Sequence, residues 1–234
     1  MPSFSENFYI IGHRGAAGER FENSLEGFKH ALTLDIDAIE LDIREHSSEL
    51  WVFHDNDLER LTGTFGLFED HANPSSIRLR NGEAVPTLKQ VLDLYWGKMP
   101  VNIEIKSINN LQLLLDLLAD YPALEPAVGL PWIIISSFNH TTLRQLRQLD
   151  CPWSLAPITF GVPLQTAVEL EQIAPLSWHF GDACLDFDLL RQLCEQGVQS
   201  LVFTVNDDQR VQLLRQQRVA GIITDFPSKM TQFI

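Results

Sequence analysis

Histidine, arginine and carboxylate residues stand at the ends of short apolar runs in this chain. The stretch FYIIGHRG places His13 and Arg14 just after an apolar run, with Gly15 behind them. Two groups that can carry positive charge are costly to bury at a strand end unless something anionic meets them. The pattern therefore indicates a ligand that carries a phosphate or a carboxylate.

Carboxylates recur along two further apolar runs. In AIELDIR, Glu40 and Asp42 alternate with apolar residues, and in VNIEIK the alternating polar positions include Glu104 and Lys106. Successive side chains of a strand point to opposite faces, so Glu40 and Asp42 share a face about 6–7 Å apart. A hard divalent cation, Mg²⁺ or Ca²⁺, would relieve the repulsion between three buried carboxylates and take oxygen ligands from Glu40, Asp42 and Glu104.

An ion network is the alternative to a cation at these carboxylates. In that arrangement Arg14, Arg44 or Lys106 would neutralise Glu40 and Asp42 directly. Zinc fits the sequence less well, because no cluster of histidine and cysteine residues has the spacing of a zinc site. The residue pattern leaves the cation and the ion network both open.

Two histidines each stand at the end of an apolar run. His54 ends the run LWVFHD just as His13 ends the run FYIIGH. A histidine pair at the carboxyl ends of strands suits general acid–base chemistry near neutral pH. The remaining histidines are interpreted as ordinary surface or core residues, except for His179 in LSWHFG, which fits either interpretation.

These residues need a scaffold that gathers strand ends at one place. Nine short apolar runs alternate with amphipathic segments along the chain, which is typical of a parallel sheet. We predict an α/β fold, a (β/α)₈ TIM barrel, whose active site would lie at the carboxyl ends of the strands. Nine candidates exceed eight strands by one, so we expect either SLAPIT or LSWHFG to be irregular. An open doubly wound sheet is the alternative, but no G-x-G-x-x-G follows the first strand.

The chain is predicted to form a single domain over residues 1–234. We see no Gly/Ser-rich or Pro-rich linker and no internal repeat. An irregular segment of about residues 56–85 follows the third candidate strand. A loop of this length in a compact domain is usually functional, so we expect a modest insertion that acts as a lid.

Composition narrows the range of partners. The 234 residues carry a formal net charge of −14, which argues against nucleic acid or an anionic membrane surface. The N-terminus lacks the basic and apolar stretches of a signal peptide, and no apolar run is long enough to span a bilayer. The three cysteines are expected to be reduced thiols. We therefore expect a cytoplasmic protein, a monomer or homodimer without a stable membrane anchor.

Taken together, the motifs resemble those of the glycerophosphodiester phosphodiesterase family. They are HRGAAGERFENS, AIELDIREHSSELWVFHDNDLERLTG, VNIEIK, SSF, FTVN and GIITDFP, in the family's order over nearly the whole chain. The resemblance implies a (β/α)₈ barrel and a divalent metal. It also implies hydrolysis of glycerophosphodiesters, such as glycerophosphocholine or glycerophosphoethanolamine, to sn-glycerol 3-phosphate and an alcohol.

The resemblance also assigns roles to residues. It implies that a histidine pair performs acid–base catalysis, that three carboxylates hold the metal, and that further residues bind the substrate. The catalytic pair is His13 and His54; the metal ligands are Glu40, Asp42 and Glu104; the substrate-binding residues are Arg14, Lys106, Glu22, Asn23 and Phe203. We expect His13 to be the base and His54 the acid. Whether water or the glycerol 2-hydroxyl attacks the phosphorus is left open.

Three departures from the family pattern bear on substrate preference more than on chemistry. PENT is FENS here, the acidic TxDG turn is HSSE without its glycine, and WTVN is FTVN. Phe203 would still offer apolar contact to the glycerol, but without an indole N–H. A lysophospholipase D on the same barrel and a non-catalytic phosphate-binding barrel are the alternative functions.

Overall fold

Eight parallel strands close into a barrel in the computed structural model, which describes residues 8–122, 124, 129–163 and 166–233. The sheet order is β1-β9-β8-β7-β6-β5-β4-β2, and β1 also pairs with β2, which closes the ring. The strands are β1 (Tyr9–Gly12), β2 (Ala38–His46), β3 (Glu49–Val52), β4 (Val101–Ser107), β5 (Ile133–Ser137), β6 (Ser154–Thr159), β7 (Ser177–Gly181), β8 (Gln199–Phe203) and β9 (Gly221–Thr224). The predicted (β/α)₈ barrel is confirmed.

One of the nine predicted strands lies outside the barrel. SLAPIT and LSWHFG form β6 and β7, which are both barrel strands, so the expectation that one of them is irregular was wrong. The extra strand is β3, which pairs antiparallel with the outer half of β2, from Ile43 opposite Val52 to His46 opposite Glu49. A buried hairpin partner and a buried barrel strand have the same apolar pattern, so periodicity does not distinguish them. The insertion therefore lies between the second and third barrel strands.

Helices cover the outside of the barrel. They are α1 (Leu25–Ala31), α2 (Glu59–Thr62), α3 (Leu88–Tyr95), α4 (Leu111–Ala119), α5 (His140–Gln148), α6 (Ala167–Ile173), α7 (Phe187–Glu195), α8 (Asp208–Gln216) and α9 (Pro227–Met230). Side chains cap the N-termini of α1 and α3: Ser24 accepts a hydrogen bond from the N–H of Gly27, and Thr87 forms a capping box with Gln90. Gly197 has a φ of 83° just beyond α7, which is the left-handed position that glycine favours.

The alternation of side chains along the strands separates the apolar core from the polar site. Ile39, Leu41 and Ile43 of β2 point outward and pack, fully buried, against the helices. Burial of one such side chain is worth about 1.5–3 kcal/mol. The alternate positions, among them Glu40 and Asp42, point into the barrel. Inside the barrel, an apolar cluster that includes Tyr9, Ile11 and Ala38 precedes the polar positions along the strands, so the polar site lies toward the carboxyl ends.

The predicted insertion of residues 56–85 packs on a small core of its own. Its secondary structure comprises α2, a 3₁₀ turn at Pro74–Ser76 and isolated bridges, so the segment is largely irregular. Phe68 of the insertion stacks on Phe53 with ring centroids 4.8 Å apart, and buried Leu58, Leu61 and Ile77 belong to the same cluster. This apolar cluster fixes the insertion beside the end of β3.

Two further features are the state of the cysteines and the length of the helices. Cys151, Cys184 and Cys194 are free thiols. In the part of the chain that the structure describes, every helix is too short or too polar to cross a bilayer.

Candidate active site

Three carboxylates meet at the carboxyl end of the barrel. The register pairs Glu40 of β2 with Asn102 of β4, and Asp42 with Glu104, so all four side chains lie on the inward face. One carboxylate oxygen from each of Glu40, Asp42 and Glu104 lies within 4.8 Å of the others. All three residues are buried, at 2%, 1% and 8% exposure respectively. The shared face predicted from the alternation of β2 is thus completed by β4.

The pKa values of the three carboxylates are shifted in different directions. Burial, together with Asp42 and Glu104, raises the pKa of Glu40 well above its usual range. Burial and Asp42 raise the pKa of Glu104 to about 7. Burial also works against ionisation of Asp42, but Lys106 and Arg14 outweigh it and lower the pKa of Asp42. The site has more negative charge than its own cations neutralise.

The ion network, the alternative to a cation, is only partly formed. Asp42 Oδ1 lies 3.2 Å from Lys106 Nζ, and Asp42 Oδ2 lies 3.3 Å from Arg14 Nε. Lys106 also pairs with Glu104. Arg44, the third cation considered, instead donates to the carbonyl oxygen of His54. Glu40 Oε1 is buried and has no hydrogen-bond partner among the described residues.

A divalent cation fits this donor set. The orphaned Glu40 oxygen is a buried acceptor that needs a positive partner, since an unsatisfied buried carboxylate is costly. The three carboxylates supply only oxygen donors, which suits a hard ion such as Mg²⁺ or Ca²⁺. The arrangement therefore supports a divalent cation, without selecting between these two ions.

Arg14 reaches the site from a strained turn after β1. Its φ is 49°, and Gly15 follows with a φ of 88°. At Gly12 a Cβ would lie 2.0 Å from the carbonyl oxygen of Gly15, so only glycine fits. The turn directs the Arg14 N–H to Glu40 Oε2 at 2.9 Å and Nη1 to Glu22 Oε1 at 2.6 Å. Strain of this kind is typical of functional sites.

His13 is held by a carboxylate that directly follows the last barrel strand. Its Nδ1 lies 2.6 Å from Asp225 Oδ1, and Asn206 donates to the other oxygen of Asp225 at 2.7 Å. Although burial disfavours the charge on Asp225, the bond to His13 outweighs it and lowers the pKa of Asp225. An ionised carboxylate can only accept, so Nδ1 of His13 carries the proton. The Nε2 atom faces the site, 3.9 Å from Glu40 Oε2.

His54 is held in the same way but reaches the site by a different route. The β2–β3 hairpin turns the chain back toward the barrel, and the Phe53 N–H donates to the carbonyl of Asp42 at 3.0 Å. Nδ1 of His54 lies 2.6 Å from Asp55 Oδ1. Burial lowers the pKa of His54, although Asp42 acts in the opposite direction. Bonds from Arg60 and His54 overcome burial and lower the pKa of Asp55 to about 2, so Asp55 is an acceptor.

Glu22 and Asn23 lie at the edge of the site. Asn23 is buried, and its Nδ2 donates to Asp42 Oδ2 at 2.9 Å. Glu22 lies between two guanidinium groups, those of Arg14 and Arg60. Both residues therefore contact charged groups of the site directly.

Phe203 belongs to an aromatic cluster that we call the phenylalanine wall, formed by Phe138, Phe160 and Phe203. Their ring centroids lie 5.2–6.0 Å apart. Phe203 lines the same small cavity as His13, Glu40 and Glu104. The Lys106 ammonium lies 5.6 Å from the centroid of the Phe138 ring. The wall offers an exposed apolar surface next to the charged groups.

The residues that fix the two histidines were missed by the sequence analysis. Asp225 and Asp55 each follow a strand end, in the dipeptides TD and HD, and Asp225 is 212 residues from His13. The signal was present in the motifs GIITDFP and LWVFHD. A carboxylate that follows a strand at the same end of the barrel is a candidate partner for a histidine Nδ1.

Comparison with known proteins gives consistent findings. The family model for the glycerophosphoryl diester phosphodiesterase family matches residues 13–229. The chain is 28% identical over 243 residues to a glycerophosphodiester phosphodiesterase of Bacillus altitudinis, covering 94% of this chain and 95% of that protein. It is 24% identical over 271 residues to the rat lysophospholipase D GDPD1, covering 96% and 85% respectively.

Solved structures share the fold. A phosphodiesterase of Oleispira antarctica, in complex with the product sn-glycerol-3-phosphate, superposes with a TM-score of 0.83 at 24% identity, covering 96% of this chain and 95% of that one. A structure described as a putative glycerophosphodiester phosphodiesterase of Galdieria sulphuraria also gives 0.83, at 19% identity and 97% coverage of both chains. At these identities the likeness shows a common fold.

Proposed function

We propose a substrate class for this chain, which belongs to the glycerophosphoryl diester phosphodiesterase family and is a phosphoric diester hydrolase. The proposed substrates are glycerophosphodiesters such as glycerophosphocholine and glycerophosphoethanolamine. The products are sn-glycerol 3-phosphate and the free alcohol. One observation carries the proposal: two histidines with carboxylate-bound Nδ1 atoms, His13 and His54, belong to the same barrel end as three buried carboxylates.

The two histidines have complementary catalytic roles in this proposal, one as base and one as acid. The Nε2 atom of His13 takes the proton from the attacking water or glycerol 2-hydroxyl while an oxygen–phosphorus bond forms; attack by the glycerol hydroxyl would give a cyclic phosphate that a water then opens to glycerol 3-phosphate. As the bond from phosphorus to the alcohol oxygen breaks, protonated His54 gives its Nε2 proton to that oxygen. The negative phosphate of the bound substrate favours the protonated ring of His54, whose pKa burial lowers in the free protein. Proton transfers of this kind contribute about 10²–10⁴-fold to the rate.

Charge neutralisation is the second part of the proposal. Glu40, Asp42 and Glu104 would hold the divalent cation, which when bound neutralises negative charge on the phosphate oxygens. Arg14 and Lys106 supply the fixed positive charges of the chain itself. Because both are held by carboxylates before substrate arrives, little reorganisation is needed during the reaction. Asn23 holds Asp42, and Glu22 holds Arg14, in these positions.

The substrate's glycerol is proposed to lie against the phenylalanine wall. Phe203 lines the cavity beside the carboxylates, so its ring is placed to contact apolar carbon atoms of the glycerol. The insertion of residues 56–85 begins one residue after Asp55, the partner of His54. We propose that this insertion is a lid that bounds the leaving-group side, and that the chain folds as one domain.

A second candidate is cleavage of lysophospholipids. The exposed part of the wall favours it, since the side chains of Phe138 and Phe160 are 40% and 62% exposed and could contact an acyl chain. The relationship to the rat lysophospholipase D points the same way. We favour deacylated substrates because the insertion has one exposed tip, at Phe65 and Leu67, and no continuous apolar face.

The two candidates predict different products. The purified protein is incubated with equal concentrations of glycerophosphocholine and lysophosphatidylcholine in the presence of Mg²⁺ or Ca²⁺. Phosphorus NMR then distinguishes glycerol 3-phosphate from its acylated form. The proposal expects glycerol 3-phosphate as the major product, and equal or faster formation of the acylated product would favour the second candidate instead.

A further inference from the structure

Arg60 of the insertion connects two parts of the site that are separate in sequence. Its guanidinium donates to Glu22 through Nη1 at 2.6 Å and Nη2 at 2.8 Å. It also donates to Asp55 through Nε at 2.6 Å and Nη2 at 2.9 Å. The side chain is 48% exposed, so neither an apolar core nor a buried cavity fixes it there. The two carboxylates hold it.

Each of these carboxylates has a second partner that belongs to the proposed machinery. Glu22 Oε1 accepts from Arg14 Nη1 at 2.6 Å, and Asp55 Oδ1 accepts from His54 Nδ1 at 2.6 Å. The chain of contacts therefore runs from Arg14 through Glu22, Arg60 and Asp55 to His54. Arg60 is the central member, and it comes from α2 of the insertion rather than from a barrel strand.

The chemistry of the guanidinium suits this position. Its planar fork presents two edges, so one group can form paired hydrogen bonds with two carboxylates at once. A lysine ammonium is a point charge that cannot hold both carboxylate planes. By keeping Asp55 ionised and oriented, Arg60 keeps the Nδ1 proton of His54 directed at Asp55 and leaves Nε2 toward the substrate.

We propose that Arg60 is a positioning residue for the proposed hydrolysis, orienting His54 through Asp55 and Arg14 through Glu22. The inference rests on the proposed function of this site. It also gives the insertion a second role, since the Arg60 guanidinium of α2, through its own hydrogen bonds to Asp55 and Glu22, fixes the groups that orient His54 and Arg14. A displacement of about 1 Å in such a group can cost about 100-fold in rate.

Arg80 provides a matched control in the same insertion. It donates to the carbonyl oxygens of Arg60 at 2.8 Å and Glu59 at 3.0 Å, so it anchors α2 by its backbone. None of its hydrogen bonds given by the structure goes to Glu22 or Asp55. Arg80→Ala therefore removes an arginine of the same insertion and its two backbone contacts to α2, while the four hydrogen bonds that hold the Arg60 guanidinium to Glu22 and Asp55 stay in place.

The kinetic test compares Arg60→Ala, Arg60→Lys and Arg80→Ala with the wild type, using glycerophosphocholine as substrate. We expect kcat to fall at least about 30-fold in both Arg60 variants, with KM rising less than about fivefold, whereas Arg80→Ala stays within about threefold of wild type. Added guanidinium chloride at non-denaturing concentration should restore part of the activity of Arg60→Ala alone. Equal losses in Arg60→Ala and Arg80→Ala would overturn the proposal.

A second readout does not depend on turnover. Long-range proton–nitrogen NMR of ¹⁵N-histidine protein reports which ring nitrogen of His54 carries the proton, with His54→Gln identifying the signal. We expect the Nδ1–H form in the wild type and Arg80→Ala, and loss of that preference in Arg60→Ala. An unchanged His54 signal in Arg60→Ala would overturn the positioning role, whereas an inactive wild type with the expected signals would overturn the function alone.

Discussion

The two histidines owe their fixed ring orientation to carboxylates that bind the nitrogen pointing away from the site. Asp225 and Asp55 have lowered pKa values, so each accepts a hydrogen bond and leaves Nε2 free for chemistry. That His13 and His54 lie at the same end of the barrel was predictable from their positions at the ends of apolar runs, and their catalytic role stays a proposal. Their partners were not predictable, because the bond between His13 and Asp225 spans 212 residues and exists only once the barrel closes.

The acid and base can be separated by changing the leaving group. A general acid matters little when the leaving group is already acidic, so His54→Ala should lose about 100-fold or more with glycerophosphocholine. With the p-nitrophenyl ester of glycerol 3-phosphate, His54→Ala should retain at least about a third of wild-type kcat. His13→Ala should lose activity with both substrates. Initial rates of the three proteins on the two substrates provide the test.

The reverse pattern would contradict the assignment. If His13→Ala keeps its activity on the p-nitrophenyl ester and His54→Ala does not, then His54 is the base. Equal losses with both substrates in His54→Ala would show that His54 does not protonate the leaving alcohol.

Among the elements, β3 shows where sequence patterns fall short. The helices and their caps were predictable because capping depends on residues three positions apart, as between Ser24 and Gly27. Whether β3 is a barrel strand or a hairpin partner depends on which strand it pairs with. Its apolar pattern fits both possibilities. The hairpin signal was weak because the turn has Ser47 and Ser48 where glycine or asparagine is usual.

This turn gives a stability prediction. Ser47 and Ser48 have φ values of 52° and 56°, which is a left-handed conformation that costs a residue with a Cβ about 1–2 kcal/mol. Ser48→Gly should therefore raise the free energy of unfolding by about 0.5–1 kcal/mol, after the greater entropy of glycine in the unfolded chain. Urea unfolding of the variant measures this change. Ser48→Ala keeps the strain and should show no gain; a loss in Ser48→Gly would contradict the prediction.

At the scale of the whole molecule, the outward faces of the strands pack against the helices, and the inward faces carry an apolar cluster that includes Tyr9, Ile11 and Ile223 below the polar site at the carboxyl ends. The overall fold was predictable because strands and helices alternate along the chain. Which polar residues meet inside the barrel was predictable only in part, since it depends on the register between strands, such as Asp42 opposite Glu104. A cytoplasmic location and a monomeric or homodimeric state stay predictions from the sequence.

His179, in the barrel interior, makes the stability of the fold depend on pH in the acid range. It is fully buried on the inward face of β7, with Ser177 Oγ 3.1 Å from its Nε2. Burial lowers its pKa to about 3. Below about pH 6.5 the unfolded chain binds a proton that the folded protein does not, so stability falls as the pH drops from about 6.5 toward about 3.

Replacing His179 should reduce this dependence. The slope contributed by one such group reaches about 1.4 kcal/mol per pH unit. His179→Gln should therefore lose less free energy of unfolding than the wild type between about pH 6.5 and pH 4.5. Denaturant unfolding at both pH values measures it. Parallel losses in the two proteins would show that His179 does not contribute.

The central claim is that the carboxylates and histidines at one end of the barrel form a cation-dependent phosphodiesterase site. The most direct measurement follows release of glycerol 3-phosphate from glycerophosphocholine with a coupled dehydrogenase, first in EDTA and then with Mg²⁺ or Ca²⁺ added. The wild type should be silent in EDTA and active with one of the cations, while Glu104→Gln and His13→Ala should lose at least about 100-fold of that activity. Undiminished release in EDTA, or near-wild-type rates in both variants, would contradict the account.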